Sequence, residues 1–417
     1  MISRNSLGLI GGLLMLICLS ACQTSSKTGG RDISGNYSSQ LQKSLDLEAK
    51  VFSNSDGKVS VRLKILQNDL SFDKGKTKLS VSYAVFSSYS APQPLDSNRI
   101  VKELIQTDHQ FLETEVELSV MSGRGYILEL EVRNPMSGKS AKKVIDIVDP
   151  NKFSGQSFSI SDFEGRIIYE PYVNSADSYL ITCLEDQTAL FVKFYDRDFP
   201  IAAPPFSTAN PKPFNFKPDK TFRLNMVDAH HTVLYITQPG FYHIVQKEDD
   251  QQGGSIHYFG NHYPESKTVN DLLYPLRYIT TNEEYTDLQE SKNLKKSIDA
   301  FWLRLGGDQV RAKKLIQNYY TRVEESNVHF TSYIEGWKSD RGMCYTIFGS
   351  PTKVTRSTSK EVWMYGNPGD FNALKFEFVK VVNPFSQNDF RLIRSATLKT
   401  PWYRAVDLWR QGRITTY

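Results

Sequence analysis

The sequence is poor in cysteine, with four among 417 residues. So few cysteines exclude a disulfide-rich scaffold. Cys18 and Cys22 lie near the N-terminus, whereas Cys183 and Cys344 fall in different predicted domains. We therefore expect the latter two to be buried free thiols rather than a disulfide.

The chain also lacks a strong excess of charge of either sign. It contains 50 basic and 46 acidic residues, a formal net charge of +4. No basic block is dense enough to indicate a polyanion-binding surface. We expect no nucleic-acid partner.

Motifs for common catalytic and metal chemistry are absent from the sequence: there is no G-x-S-x-G, no H-E-x-x-H, no phosphate-binding glycine loop and no paired-cysteine metal motif. Several histidines do cluster along the chain: His230, His231, His243, His257 and His262. Adjacent strand residues point to opposite faces, and no carboxylate lies at a ligand spacing. We expect surface and loop histidines, no metal, no cofactor and no enzymatic activity.

Long apolar runs are missing except near the N-terminus. Leu7–Leu19 follows the basic Arg4 and is too short to span a bilayer comfortably. It ends in Leu-Ser-Ala-Cys, which resembles a bacterial lipobox. Residues 1–21 are then a lipoprotein signal peptide, Cys22 carries lipid, and Ser/Gly-rich residues 22–44 are a flexible tether. The alternative is an ordinary signal peptide with a chance cysteine.

Short runs of alternating apolar residues dominate the chain from residue 45 to 268. Lys58–Leu66, for example, places Val59, Val61, Leu63 and Ile65 on one face. Such alternation, punctuated by turn residues, is typical of antiparallel strands with one buried face. The pattern predicts two tandem β-sandwich, immunoglobulin-like domains, at 45–150 and 155–268.

A proline-rich stretch, Phe199–Asp219, interrupts the second of these units with six prolines. Prolines cannot sit in a central strand, so we expect an extended edge loop. Its aromatic residues either seal the edge of the sandwich or form a protein-binding lip.

Helical periodicity begins after residue 270. Ser291–Gly306 and Asp308–Phe330 each have an apolar face, with Gly306 and Gly307 ending the first helix and Asp308 capping the second. Four strand candidates follow, and then a closing amphipathic helix; the strands are Met343–Gly349, Glu361–Gly366, Leu374–Val381 and Arg391–Leu398. The sequence predicts an α+β domain at 275–417, and hence a multidomain, mainly β protein.

Four segments of this last region resemble the GWxTD domain of envelope lipoproteins from Bacteroidetes and related bacteria: Ala300–Leu305, Tyr319–Phe330, Glu335–Pro351 and Glu361–Gly366. Ser339 stands where the family has Thr and keeps the hydroxyl. The chain departs from the family pattern after Trp302 and at Met343 and Cys344. The resemblance implies a cell-envelope lipoprotein and does not imply a catalyst.

The motif residues themselves are Gly336, Trp337, Ser339, Asp340, Arg341 and Gly342. We expect them to form a structural corner. Gly336 would end the preceding helix with a positive φ, and Gly342 would allow close approach of the next strand. Trp337 would be a wedge between helix and sheet.

The polar motif residues fit the same interpretation. Ser339 and Asp340 would accept hydrogen bonds from the backbone N–H groups that follow. Arg341 would pair with Glu335 or Glu361. In the alternative, Asp340 is an acid/base and Arg341 an anion clamp, but no nucleophile or metal ligand accompanies them.

These observations favour a lipid-anchored, non-enzymatic scaffold or accessory subunit of an envelope assembly or secretion complex. Its partners would be membrane lipid through Cys22 and envelope proteins such as outer-membrane β-barrels. A glycan- or peptide-binding lipoprotein is the second hypothesis, and an envelope hydrolase using Asp340 is the third. Surface lipoproteins of Bacteroidetes tend to carry an acidic cluster after the lipidated cysteine, and none follows Cys22. The resemblance therefore implies a periplasm-facing position on the outer membrane.

Overall fold

The computed structural model describes residues 29–38, 44–208, 215, 217–367, 369–370 and 373–413. The predicted signal peptide and the lipidation site at Cys22 lie outside these residues. None of the helices in the described ranges has both the length and the apolar character that crossing a membrane requires.

The first β-sandwich combines a three-stranded and a four-stranded antiparallel sheet. The short strand β1 (Arg31–Asp32) precedes this sandwich and belongs to another sheet. The strands of the sandwich are β2 (Leu47–Ser53), β3 (Lys58–Leu66), β4 (Lys76–Phe86), β5 (Asp96–Ile105), β6 (Phe111–Ser119), β7 (Tyr126–Arg133) and β8 (Ser140–Ile147). The sheets have the orders β2-β3-β6 and β5-β4-β7-β8. Alternate residues of β3 and β4 are buried in one core, because side chains of period two face a single side of a sheet.

The second β-sandwich has sheets of the orders β10-β16-β15-β12-β13 and β14-β11-β9. Its strands are β9 (Phe158–Ser161), β10 (Tyr172–Val173), β11 (Ser178–Cys183), β12 (Leu190–Tyr195), β13 (Lys220–Leu224), β14 (His231–Tyr235), β15 (Gly240–Val245) and β16 (Gly254–Tyr258). Only β10 and β16 pair in parallel among these described strands. The predicted proline-rich loop leaves this unit after β12.

The C-terminal part contains the helices and one more sheet. Its elements are α1 (Val269–Leu273), α2 (Asn282–Gln289), α3 (Leu294–Gly306), α4 (Gln309–Phe330), α5 (Asp340–Phe348), β17 (Lys353–Arg356), β18 (Lys360–Tyr365), β19 (Leu374–Lys380), β20 (Phe390–Leu392) and α6 (Lys399–Arg410). Gly307 ends α3 with φ 74°, and the Asp308 carboxylate caps α4 by accepting from the Arg311 N–H. The prediction of a mainly β protein with a helical C-terminal region is confirmed.

One predicted strand is wrong and another is too long: of the candidate Arg391–Leu398, only Arg391 and Leu392 belong to a strand, and Ala396–Leu398 is a 3₁₀ turn. The stretch Met343–Gly349 reads as β-forming, but Asp340–Phe348 is helix α5. Arg341 and every following residue of α5 are buried, so the segment has no polar face from which a helical period could be read. The Ser339 side chain caps the helix.

The tether prediction is also wrong for residues 29–38, which we call the N-terminal segment. Arg31 and Asp32 pair with Arg356 and Thr355, so that β1 becomes the edge strand of the C-terminal sheet. Ile33 and Tyr37 are buried in the C-terminal core. Two apolar residues four positions apart thus fix a stretch whose composition is otherwise that of a linker.

The C-terminal core continues into the first sandwich. Phe86, Ile127 and Val144, from β4, β7 and β8, belong to the same cluster of buried residues as Tyr37 and Trp363. The N-terminal segment lies between the two units, with Asn36 bonded to Val144 of β8. The first sandwich is therefore packed directly on the C-terminal domain.

Candidate functional site

Two glycines make the corner between α4 and α5 possible. A Cβ on Gly336 would lie 2.0 Å from the Ser326 carbonyl oxygen, and one on Gly342 would lie 2.0 Å from the Gly336 oxygen. Neither glycine has a positive φ, so the predicted left-handed conformation of Gly336 is wrong. Close backbone approach of α4, the Gly336–Lys338 turn and α5 is what requires glycine here.

Trp337 is buried in the corner. Its backbone N–H donates to Asn327 Oδ1 at 3.0 Å, and its backbone carbonyl accepts from the Tyr278 hydroxyl at 2.8 Å. Its aromatic neighbour is again Tyr278, at a centroid distance of 6.1 Å and an interplanar angle of 72°. Tyr278 belongs to the Tyr274–Tyr278 turn after α1, so the ring contact runs to a helical segment rather than to a strand.

Ser339 joins the two ends of the corner. Its hydroxyl donates to the Gly336 carbonyl at 2.6 Å and accepts from the Gly342 N–H at 3.0 Å. The second bond satisfies one of the free N–H groups of the first turn of α5. A hydroxyl at this position therefore both closes the turn and starts the helix.

The sequence predicts that Asp340 accepts hydrogen bonds from the backbone N–H groups that follow it, and this prediction is wrong. The Asp340 carboxylate instead accepts from β20 and from Arg394, just after that strand. Its Oδ2 accepts from the Leu392 N–H at 2.8 Å and from Arg394 Nη1 at 3.1 Å, and its Oδ1 pairs with Arg394 Nη2. Arg394 also donates to the Ala203 and Pro204 carbonyls. Both oxygens of the Asp340 carboxylate are thus occupied.

Arg341 is fully buried and binds the N-terminal segment. Its Nη1 donates to the Tyr37 hydroxyl at 2.9 Å and to Glu361 Oε1 at 3.1 Å, while Nη2 donates to Asn388 Oδ1 at 2.6 Å. The guanidinium lies 4.5 Å from the centroid of the Phe390 ring. Of the two carboxylates considered from the sequence, Glu361 is the partner of Arg341, whereas Glu335 pairs with Lys338.

Arg341, Arg356, Glu361 and Tyr37 form what we call the buried ion cluster. Burial alone would raise the pKa of Glu361, but the guanidinium groups of Arg356 and Arg341 outweigh it and lower that pKa. Glu361 Oε2 also accepts from Trp363 Nε1 at 2.9 Å. Burial raises the pKa of Tyr37 to about 12. The carboxylate stays ionised and binds two cations away from water.

The sequence did not reveal Tyr37, Arg356, Asn388 or Arg394. They come from a predicted tether, a strand and loops far apart in the chain, and a single sequence holds no signal that joins them. The one available hint was the pair of apolar residues Ile33 and Tyr37 in a polar stretch.

The first part of the proline-rich stretch, residues 199–207, lies against the corner on the side away from the N-terminal segment; we call it the proline-rich segment. The Ala202 N–H donates to the Lys338 carbonyl at 2.9 Å, and the Ser395 N–H donates to the Pro205 carbonyl at 3.1 Å. Phe206 packs on Tyr403 of α6 with ring centroids 5.3 Å apart. Instead of lying at a sandwich edge, this part of the segment attaches the second sandwich to the C-terminal domain.

A groove of about 1000 Å³ opens beside this segment, between it, the Tyr274–Tyr278 turn, α2 and α6. Tyr274 and Tyr403 on its walls are 39% and 48% exposed. Lys338, which lies between the motif residues Trp337 and Ser339, borders the groove. Asp340 and Arg341 are not among its lining residues.

The histidines do not converge. His230 and His231 are bonded to Asp186 and Asp228, respectively, at the surface of the second sandwich. His243 and His257 are buried, and burial lowers the pKa of His243 to about 4 and that of His257 to about 3. Within the described ranges, no three His, Cys, Asp or Glu side chains are grouped to hold a metal ion.

The two remaining cysteines in the described part of the chain, Cys183 and Cys344, are free and buried. Burial raises the pKa of Cys183 to about 11 and also raises that of Cys344. Neither thiol has the lowered pKa of a reactive cysteine.

Comparisons with known proteins identify the C-terminal region. No curated protein matches the chain. Among solved structures, red sea bream transglutaminase has a TM-score of 0.19 at 7% identity, over 48% of this chain and 28% of that one. CBD12 from CALX1.2 has a TM-score of 0.18 at 11% identity, over 60% of this chain and 92% of that one. Neither similarity bears on fold or function. Residues 240–411, from β15 to the end of α6, match the model of the GWxTD domain.

Proposed function

We propose that the chain is a lipoprotein of the outer membrane, anchored through lipid on Cys22, and a non-enzymatic scaffold or accessory subunit of a cell-envelope assembly or secretion complex. The GWxTD match and the lipobox-like Leu-Ser-Ala-Cys sequence support the proposal. The family resemblance points to Bacteroidetes or related bacteria.

One observation carries this proposal: the motif side chains bind other parts of the same chain. Arg341 binds the N-terminal segment through Tyr37, and Asp340 binds Arg394, which in turn binds the proline-rich segment. A motif used in this way builds one body from three units. A motif whose polar side chains are all engaged within the chain supports a structural role better than a catalytic one.

The proposed partners are envelope proteins, among them outer-membrane β-barrels. The test is affinity purification of the tagged full-length chain from detergent-extracted membranes, after mild cross-linking. We expect stoichiometric membrane proteins with the wild-type chain and their loss with Cys22→Ser, which removes the anchor. A chain that extracts without any stoichiometric partner would contradict the scaffold role.

Two further experiments test the lipid anchor and the face of the outer membrane on which the chain lies. Intact-mass analysis of the membrane-extracted chain should show acyl groups and a first residue at position 22. Protease added to whole cells should leave the chain intact until the outer membrane is permeabilised. A soluble mature chain starting elsewhere contradicts the anchor, and digestion in intact cells contradicts the periplasm-facing position.

A second candidate function, glycan or peptide binding, is favoured by the groove. Tyrosine rings such as Tyr274 and Tyr403 can stack on sugars or on proline-rich peptides. Tyr403→Ala should then weaken the binding of envelope glycan fragments or peptides, measured by calorimetry. An exposed tyrosine outside the groove, Tyr235→Ala, is the matched control at 63% exposure.

A further inference from the structure

The edge strand β5 of the first sandwich is long and unpaired on one side. It spans Asp96–Ile105 and, in the described part of the chain, pairs with β4 alone. Ten residues are about twice the usual length of a strand in globular proteins. Long exposed edges present a row of free N–H and C=O groups that can pair with another strand.

The opposite edge of the same sheet is treated differently. There, Asn36 of the N-terminal segment covers β8: its Nδ2 donates to the Val144 carbonyl at 2.8 Å and its Oδ1 accepts from the Val144 N–H at 2.9 Å. The side-chain amide of Asn36 thus occupies both backbone polar groups of Val144 at this edge of the sheet. No described segment does the same for β5.

Apolar side chains accompany the free edge. Val101 is 61% exposed and Ile105 is 65% exposed, and both lie on the outward face of β5. Between and beside them on this face are Arg99 and Glu103. The outward face therefore reads Arg, Val, Glu, Ile at every second residue.

This order is self-complementary. We propose that β5 pairs antiparallel with β5 of a second copy of this chain, across a two-fold axis at Val101. Arg99 then lies opposite Glu103 of the second copy, and Glu103 lies opposite its Arg99, with the two Val101 side chains in contact between them. Opposite charges and apolar pairs directly across from each other stabilise antiparallel strands.

Other symmetric registers lack this match. An axis at Lys102 opposes two lysines, and an axis at Glu103 or Arg99 opposes two like charges. An axis at Ile100 places Arg99 against Val101 and leaves both charges unmatched. Because like charges directly opposite destabilise a sheet, the axis at Val101 is the favoured one.

The charges are available for this pairing. Arg99 forms no ion pair within the described ranges; its Nε donates to Ser80 Oγ at 2.6 Å. Glu103 pairs with Lys76 at 2.9 Å, but both side chains are about half exposed, at 49% and 60%, so the pair is weak. The dimer would join two four-stranded sheets into one of eight strands, within the usual range. The inference does not depend on the proposed function.

Cysteine cross-linking of the full chain in detergent tests the register. In the proposed dimer, the two Val101 Cβ atoms are about 4.5–5.5 Å apart, within reach of a disulfide after mild oxidation. Two Ile105 residues are separated by about 27 Å, because eight residues at roughly 3.4 Å each lie between them along the strands. Val101→Cys should thus form covalent dimers, and the equally exposed Ile105→Cys should not.

Met121→Cys, at an exposed site outside β5, measures random collisions. All three variants also carry Cys18→Ser and Cys22→Ser, and the native Cys183 and Cys344 are buried, so native thiols add little background. Equal cross-linking of all three variants, or none with Val101→Cys, overturns the proposal. A chain that stays monomeric in sedimentation at every concentration also overturns it, and leaves the edge to a strand of another protein.

Charge reversal tests the complementarity. Arg99→Glu places like charges opposite each other twice per dimer, and should raise the dimer dissociation constant at least about tenfold. The double variant Arg99→Glu/Glu103→Arg restores both pairs and should return the constant to within about threefold of the wild-type value. A double variant no better than the single one overturns the pairing. Circular dichroism of each variant verifies that the sandwich remains folded.

Discussion

Asp340 and Arg341 are neighbours in the chain, yet they act in two different regions. Arg341 is fully buried and binds Tyr37 and Glu361, far from water. The Asp340 side chain is 10% exposed and pairs with Arg394, whose side chain is 16% exposed. Successive helical residues point about 100° apart, so one turn of α5 reaches both regions.

The comparison shows that burial and the number of partners, more than charge itself, determine how much free energy of unfolding is lost when a charged side chain is removed. In the buried ion cluster, two guanidinium groups share one carboxylate. Removing it would leave Arg341 without an ion pair and Arg356 with only the more distant Asp146, at 3.9 Å. At Asp340, water can reach Arg394 and replace part of what is lost. The two halves of one motif should thus respond very differently to mutation.

The largest effect is expected for Glu361→Ala. Removing the carboxylate should lower the free energy of unfolding by about 3–5 kcal/mol, because Arg341 and Arg356 lose their shared anion. Urea denaturation of the full chain, followed by circular dichroism, measures it. Glu377→Ala on the adjacent β19 is the control: this residue is 46% exposed and pairs with Lys360, so it should cost no more than about 1 kcal/mol. Equal costs for the two variants would contradict the comparison.

Trp337→Ala should affect both regions together. Its ring fills the corner from which Asp340 and Arg341 extend, and its loss opens a cavity worth about 3–5 kcal/mol. Thermal melts of the full chain measure the loss. Tyr403→Ala, which truncates an aromatic ring that is 48% exposed, should shift the melting temperature far less. A Trp337→Ala chain that melts like wild type would show that the corner does not depend on the ring.

Acidification should destabilise the interface around His243 and His257 at a higher pH than it destabilises the buried ion cluster. His243 and His257 lie where β15 and β16 meet Phe385 of the C-terminal domain. Burial lowers the pKa of His243 to about 4, against about 6.5 in an unfolded chain. The unfolded state therefore binds more protons between these values, and stability is full above pH ~6.5 and falls as the pH drops toward 4. For His243 alone, the loss should approach about 3 kcal/mol.

The Glu361 carboxylate should lose its charge only at lower pH, because its pKa lies below the ordinary value. Melting temperatures from pH 7 to 4 test this order. The double variant His243→Gln/His257→Phe should flatten the slope, whereas His109→Gln, at 80% side-chain exposure, should not. Identical slopes in all three chains would show that these histidines do not control acid stability.

Local periodicity explains what the sequence could predict. Helices α3 and α4 have clear apolar faces and caps, and β3 and β4 alternate cleanly, so these elements were found. Helix α5 was missed because nearly all of its residues are buried and no face distinguishes it from a strand.

The partners of the site were beyond reach for a different reason. The residues that bind Arg341 include Tyr37, which lies 304 positions away in the sequence. The carbonyl of Ala203 lies 191 positions from Arg394. Such contacts depend on how three units pack, and no pattern within one segment encodes them. The position of the motif could be predicted from the sequence, but the residues that its side chains bind could not.

The smallest effect is expected at Asp340, and it decides between a corner and a catalyst. Asp340→Ala leaves the Leu392 N–H without an acceptor and Arg394 without its carboxylate partner, and should cost about 1–3 kcal/mol. Asp340→Asn should cost less, because its side-chain oxygen still accepts from Leu392. Melts must use the full chain, since an isolated 275–417 fragment would lack Tyr37.

A catalytic Asp340 makes the opposite prediction, in which Asp340→Asn melts like wild type yet fails to complement a deletion strain. Under the structural interpretation, complementation by the Asn variant follows its stability, and Asp340→Ala is the weaker of the two in both measurements. Arg394→Ala removes the same ion pair from the other side and should match Asp340→Ala in melting temperature. If Arg394→Ala melts like Asp340→Ala and complements normally while Asp340→Asn does not, the carboxylate itself has a chemical role and the corner interpretation is wrong.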